Sequence, residues 1–346
     1  MQESPMRRLL LLAITTVIVA LPLRADDGAA SIAAGGLVLM KREPRITMAK
    51  EVLQISPSKV IVDYDFRNDS DTPISTIVAF PVPAYTFGQE ETTFGDPAFS
   101  DFKLTINGNV AVFFTETRAF LGKRDITDLL KLNHIDAATF GHRNAKEDDF
   151  DTIPDFKHAP PDAQRRLTAA GAFKNGEPDW IVEKKYYWTQ TFPPRSTIHI
   201  RHEYTPAIGG TNSVRYGLGK PADAAEAKQL GSLCLEPTLR ARLTTLSQRD
   251  DRQVPYNYVD FILTTANTWK TPIEDFTLIV ERPKPDKSRM SLQPKIDPTN
   301  ESLVSFCWNG PVARTDANHF TAHQLNLTPT KELRIGYISV DRINPN

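Results

Sequence analysis

The chain has 346 residues, 40% of them apolar, and its 18 Phe, 9 Tyr and 4 Trp are enough to build a substantial core. A formal charge of −1 without any basic block excludes the electrostatic footprint of a nucleic-acid-binding protein. The chain is also too apolar and too weakly charged to be a disordered solvating segment.

The first 25 residues read as an export signal. Arg7 and Arg8 precede an apolar run from Leu9 to Leu23, about 15 residues against the ~20 that a membrane-spanning helix needs. Pro22 breaks the run near its end, and Ala25 supplies a small residue for cleavage before Asp26. No cysteine lies near Ala25 to carry a lipid at the new N-terminus, so a freely released periplasmic or secreted protein is expected, with no lipid anchor and no membrane span in the mature chain.

Alternation dominates the remainder of the chain. Val60, Val62, Tyr64 and Phe66 share one face of a strand whose other face holds Asp63, Asp65 and Arg67, the period-two pattern of a half-buried antiparallel strand. Asn68 to Pro73 is turn chemistry, and Ile74 to Phe80 reads as the returning strand. Asn107-Gly108, able to adopt the positive φ of a type I′ turn, joins Phe102–Ile106 to a long strand over 109–120. Between about 122 and 178 the pattern turns helical. A helix starts near Asp125–Leu130 with Asp125 or Thr127 as cap, and another runs from Asp162 to Ala170 and stops at Gly171. The charged, proline-bearing stretch His142–Pro161 between them reads as a mobile loop. Strands resume at Trp180–Phe192 and Thr197–Tyr204. Pro221–Leu246 is mostly helical in composition, with a break at Pro237. Five strands then close the chain: Val259–Thr265, Asp275–Glu281, Ser302–Trp308, His319–Leu325 and Glu332–Val340.

These elements predict a mainly β protein, a β-rich α+β chain built as an antiparallel β-sandwich with a helical insertion. Two lobes are expected: 26–212, carrying the insertion at about 122–178, and 213–346, led by a helical segment. Cys234 and Cys307 are the only cysteines. In an oxidising compartment they are expected to form a disulfide closing a loop of about 70 residues, worth about 4 kcal/mol in chain-entropy terms, rather than two buried free thiols.

Catalytic chemistry is hard to find. His199 and His202 lie three apart on a strand and so point to opposite faces, unable to share a metal. His202-Glu203 opens like a zinc-protease motif, but position 206 is Pro206 rather than a second histidine. No G-x-S-x-G or phosphate-binding loop is present, and Asp148-Asp149 and Asp250-Asp251 sit in polar loops. No catalytic residue, metal ligand or cofactor is therefore assigned. Aromatics point more clearly to binding. Tyr186-Tyr187-Trp188 lies in a strand, with Trp188 expected in the core. Trp269, flanked by Asn267, Lys270 and Pro272, reads either as core or as a loop platform stacking on a ligand while Asn267 and Lys270 hydrogen-bond it. His202 and Tyr204 form a second choice of site, His202 reading first as a hydrogen-bonded core or cleft histidine.

Several stretches together resemble a family of exported bacterial proteins known only as domain of unknown function 4424. They are Asp27–Ala30 through Ala33–Leu39, Ile55-Ser56-Pro57, the run VIVDYDFRNDSDTPISTIVAFPVP at 60–83, Arg118-Ala119-Phe120, YYWTQTFPP at 186–194, HEYTP at 202–206 and ILTTANTWKTPIEDFTLIVE at 262–281. The resemblance implies an extracytoplasmic bacterial location and brings no activity, cofactor or site residue with it. The resulting expectation is a non-enzymatic envelope protein that serves as a binding or scaffold module for a protein or glycan partner. The rival is a periplasmic hydrolase of envelope glycan or peptide that uses carboxylates or His202.

Overall fold

The computed structural model describes residues 28–33, 36–39, 42–86, 100–138, 154–211, 231–248, 256–282 and 302–339. The expected export segment 1–25, the stretch 142–153, the leading part of the expected helix at 221–230, and the Asp148-Asp149 and Asp250-Asp251 pairs lie outside them.

Two large sheets pack face to face. The first has eight strands in the order Val312–Arg314, His319–Leu327, Ile273–Glu281, Ile46–Ile55, Val60–Asn68, Ser196–Thr205, Ser100–Ile106 and Asn109–Val110. The second has seven: Arg124–Asp125, Phe114–Leu121, Ile181–Phe192, Ile74–Pro81, Gly28–Ala33 and Gly36–Leu39 in order, with Tyr85–Thr86 also on Ile181–Phe192. A third sheet of four strands comprises Gly209–Thr211, Tyr256–Phe261, Leu333–Ser339 and Ser302–Phe306. The mainly β sandwich with a helical insertion is thus the observed architecture. Among the described residues every neighbouring pair is antiparallel except one: Ile46–Ile55 runs parallel to Ile273–Glu281.

Side-chain parity explains the layering. Val60, Val62, Tyr64 and Phe66 alternate inward, as do Ile198, Ile200, His202 and Tyr204 on the paired strand, and all eight are buried. From the opposite sheet, Val78, Phe80, Tyr186, Trp188 and Phe192 fill the same layer. Rings interlock across it, with Phe80 and Phe102 centroids 5.7 Å apart and Phe66 and Phe192 6.0 Å apart. Each such aromatic contributes about 1.5–3 kcal/mol by leaving water. Outward positions on the eight-stranded sheet carry the polar alternates, tied together as ion pairs. His199 bridges Asp63 and Asp65 at 3.2 and 2.9 Å, and Arg201 bridges Asp63 and Glu203 at 2.7 and 3.2 Å. Lys59 completes the row and, with Arg201, holds the Glu203 carboxyl below its ordinary range.

Local chemistry is mostly as the residues dictate. Asn107 and Gly108 have φ of 50° and 80°, the doubly positive turn expected of that pair. Asp125 accepts the Thr127 amide and hydroxyl at 2.8 and 2.6 Å at the entrance of the helix Thr127–Leu132. Gly171 at φ 78° follows the helix Pro161–Ala169. Cys234 and Cys307 form a disulfide with Cα atoms 4.9 Å apart.

The structure departs from expectation in identifiable places. The expected long strand over 109–120 is two strands in different sheets: Asn109–Val110 ends the eight-stranded sheet and Phe114–Leu121 belongs to the other. Alternation continues through 110, 112 and 114, so parity alone cannot reveal the change of sheet. Within the stretch read as a loop, Pro154–His158 is a helix, where Phe156 stacks on Phe173 with centroids 3.6 Å apart. The expected strand to Thr265 ends at Phe261, and a 3₁₀ helix occupies Thr264–Thr268. Residues on both sides of the expected 212/213 boundary share the eight-stranded sheet and one hydrophobic core.

Candidate functional site

Asn267, Trp269 and Lys270 do sit together, but on a buried anchor rather than an open loop. The 3₁₀ helix Thr264–Thr268 is fixed at its start by Glu332, which accepts the Leu263 amide at 2.9 Å and the Thr264 hydroxyl at 2.6 Å. Asn267 Nδ2 donates to the Pro329 carbonyl, and Thr268 Oγ1 accepts the Ala29 amide. That frame turns the Trp269 indole inward, leaving it 1% exposed, its ring 4.7 Å from that of Phe66 and 6.4 Å from that of Phe192. Lys270 reaches Asp69 at 3.2 Å, and its amide donates to the Ile46 carbonyl. Trp269 therefore offers no face for stacking on a ligand. Its polar neighbours, read from sequence as binding groups, hold the chain that carries it.

His202 and Tyr204 occupy another part of the core. The imidazole is fully buried inside a box of rings, with the centroids of Phe80, Phe102, Trp188 and Tyr64 at 5.1, 5.2, 5.3 and 5.5 Å. Burial pushes its pKa down to about 3, so it stays neutral across ordinary pH. Tyr204 packs on Phe80, centroids 5.6 Å apart. The core reading of His202 describes this arrangement, and a hydrolytic role would need the ring to reach solvent. Among the described residues no group of His, Cys, Asp and Glu is placed to hold a metal ion.

A different set of residues faces outward. On the outer face of the seven-stranded sheet Phe114 is 59% exposed and lies opposite Tyr187, ring centroids 5.6 Å apart. Tyr187 packs on Ile77, Ala79 and Ala30, which extend the apolar strip across neighbouring strands. Just before Phe114, Val110 and Val112 are 89% and 81% exposed. Charged pairs border the strip: Lys185 lies 3.7 Å from Glu116 and 3.6 Å from Glu183, and Arg118 pairs with Asp125. Single exposed apolar side chains are ordinary, whereas a contiguous row of them marks a contact surface. The sequence carried a partial signal. Tyr187 alternates with the inward Tyr186 and Trp188, and Val110, Val112 and Phe114 keep one parity. What it lacked was the pairing register that places Phe114 opposite Tyr187.

Fold and surface together define a disulfide-stapled β-sandwich protein with an exposed phenylalanine on one outer face. The chain belongs to the family described as domain of unknown function DUF4424, whose model matches residues 25–335. Among solved structures, it is similar to a Legionella pneumophila subsp. pneumophila protein described as a "putative nutrient binding protein", at 15% identity over 90% of this chain and 72% of that one. The TM-score of 0.40 is too low for that likeness to bear on fold or ligand. No curated protein matches the chain significantly.

Proposed function

We propose that this protein is an exported binding module of the bacterial cell envelope that engages a protein or glycan partner through the Phe114–Tyr187 strip. One observation carries the reading: Phe114 stands exposed beside half-buried Tyr187 on the outer face of the seven-stranded sheet, with Val110 and Val112 exposed just before it in the chain. Aromatic faces of this kind serve both protein interfaces and sugar stacking, and the bordering Lys185, Glu116 and Arg118 supply directional polar contacts. Export is supported by the disulfide, a bond that persists in oxidising compartments, and by the signal-like first 25 residues. Among the described residues no helix is long and apolar enough to cross a membrane.

The test is capture from envelope extract by the protein lacking residues 1–25, with immobilised glycans run in parallel. Phe114→Ala and Tyr187→Ala should each lose the captured partner while melting within a few degrees of wild type. Equal capture by wild type and both variants would remove the strip from the function.

A further inference from the structure

Resting on that reading of the strip, we infer that the partner docks as an extended peptide strand added to the open edge of the seven-stranded sheet beside Phe114–Leu121, with an apolar side chain against Phe114 and a carboxylate toward Lys184. In an antiparallel sheet, main-chain groups point alternately to the two neighbouring strands. Ala119 points to the edge side: its amide donates to Thr127 Oγ1 at 2.9 Å, and its carbonyl accepts the Ile126 amide at 2.9 Å. By parity Thr117 and Thr115 point the same way. Among the described residues nothing meets their edge-facing amides and carbonyls. The chain already demonstrates strand addition here, since Arg124–Asp125 pairs with Leu121 and Phe120 on this edge and then stops. A row of free amides and carbonyls spaced along a strand is matched by another extended backbone.

Charge says what that backbone carries. Lys184 stands opposite Thr117 on the inner face and leans over the Tyr186 ring at 5.1 Å, with no carboxylate in ion-pair reach among the described residues. Residues of an added strand that face Thr115 and Thr117 project to this inner side, and those that face Phe114 and Glu116 project outward. An acidic residue facing Thr117 on the inner side complements Lys184, and the residue three positions along the added strand then falls against exposed Phe114, where an aliphatic or aromatic side chain fits. A second copy of the chain fits less well. Two-fold pairing centred on Glu116 or on Thr115 sets Arg118 or Glu116 against Phe114. Centred on Phe114, it sets Thr117 against Ala111, whose amide is already donated to the Leu104 carbonyl.

The experiment titrates short synthetic peptides that alternate acidic and aliphatic residues, with scrambled versions of the same composition, into the protein lacking residues 1–25. Fluorescence anisotropy reads affinity and amide hydrogen exchange reads the edge. The alternating peptide should bind and the scrambled one should not, with the Thr115 and Thr117 amides becoming protected. Thr115→Pro removes an amide that makes no bond within the sheet, a position where an edge strand tolerates proline; it should weaken binding about tenfold without lowering Tm, and Thr115→Val should not. Lys184→Glu should reverse the preference toward alternating basic peptides, and together with exchange on wild type it carries the test if the proline variant fails to fold. Absence of binding, or binding untouched by Thr115→Pro with both amides unprotected, overturns the inference. Envelope capture lost in Phe114→Ala but retained in Thr115→Pro would overturn strand addition while leaving the binding strip in place. A concentration-dependent dimer abolished by Thr115→Pro would assign the edge to a second copy and overturn the peptide partner.

Discussion

His202 shows how far one buried side chain can set the conditions under which this protein stays folded. Its native pKa lies near 3, against an ordinary 6.5 in the unfolded chain, because the ring box excludes water from the charged form. The native state therefore binds fewer protons than the unfolded state between those values. The stability it contributes is complete above pH 6.5 and falls as the pH drops toward 3, by about 3 kcal/mol on reaching pH 4.5. Chemical denaturation at stepped pH should show that decline, and His202→Leu should flatten it between pH 6.5 and 4.5, before most carboxylates titrate. Trp269 makes the complementary point. Its replacement by Ala should cost about 3–5 kcal/mol through the cavity left beside Phe66 and Phe192, visible as a lowered urea midpoint. The parity that put His202 inside was legible in the sequence. The burial of Trp269 was not, because Asn267, Lys270 and Pro272 look the same whether they line a binding loop or fasten a turn.

Individual elements were legible wherever alternation and turn residues coincide, as at Val60–Asn68 and Asn107-Gly108. They became illegible where the chain changes partner without changing period: Ala111 to Phe113 carries an unbroken alternation from one sheet to the other, and only long-range pairing marks the transfer. The outward strip was hidden for the same reason, since it is assembled from two strands whose register no local pattern fixes. In the four-stranded sheet, close packing leaves a sharper signature. A Cβ on Gly336 would lie 2.5 Å from Leu233 Cδ2 and 3.3 Å from the Ser305 carbonyl. Leu233 adjoins Cys234, and its carbonyl accepts the Ser305 hydroxyl at 2.7 Å, so the disulfide and this hydrogen bond seat one segment on the glycine. Gly336→Ala should unseat that segment and lower Tm by several degrees, with hydrogen exchange rising first in Ser302–Phe306.

Across the whole molecule, the disulfide and the shared sheet determine which pieces can stand alone. Opening Cys234–Cys307 by Cys234→Ser should cost about 2–5 kcal/mol, read as a lower midpoint under non-reducing conditions that reductant no longer shifts. A fragment ending at residue 212 loses Ile273–Glu281, the parallel neighbour of Ile46–Ile55, together with Trp269, Phe276 and Leu278 from the core. It should give no cooperative unfolding transition by calorimetry. A sharp transition would instead make 26–212 an autonomous lobe. The sandwich class was readable from strand composition alone. The dependence of early strands on late ones was not, because a parallel pairing over such a distance leaves no trace in either strand.

That same parallel neighbour puts a clock on folding. For a chain emerging from a ribosome or a translocation channel with its N-terminus first, Ile46–Ile55 waits for more than two hundred further residues before its partner arrives, and contacts this remote in sequence form slowly. Until residue 281 has emerged, the eight-stranded sheet lacks one of its internal strands. A protein wired this way cannot complete its larger sheet until a strand as late as Ile273–Glu281 has emerged.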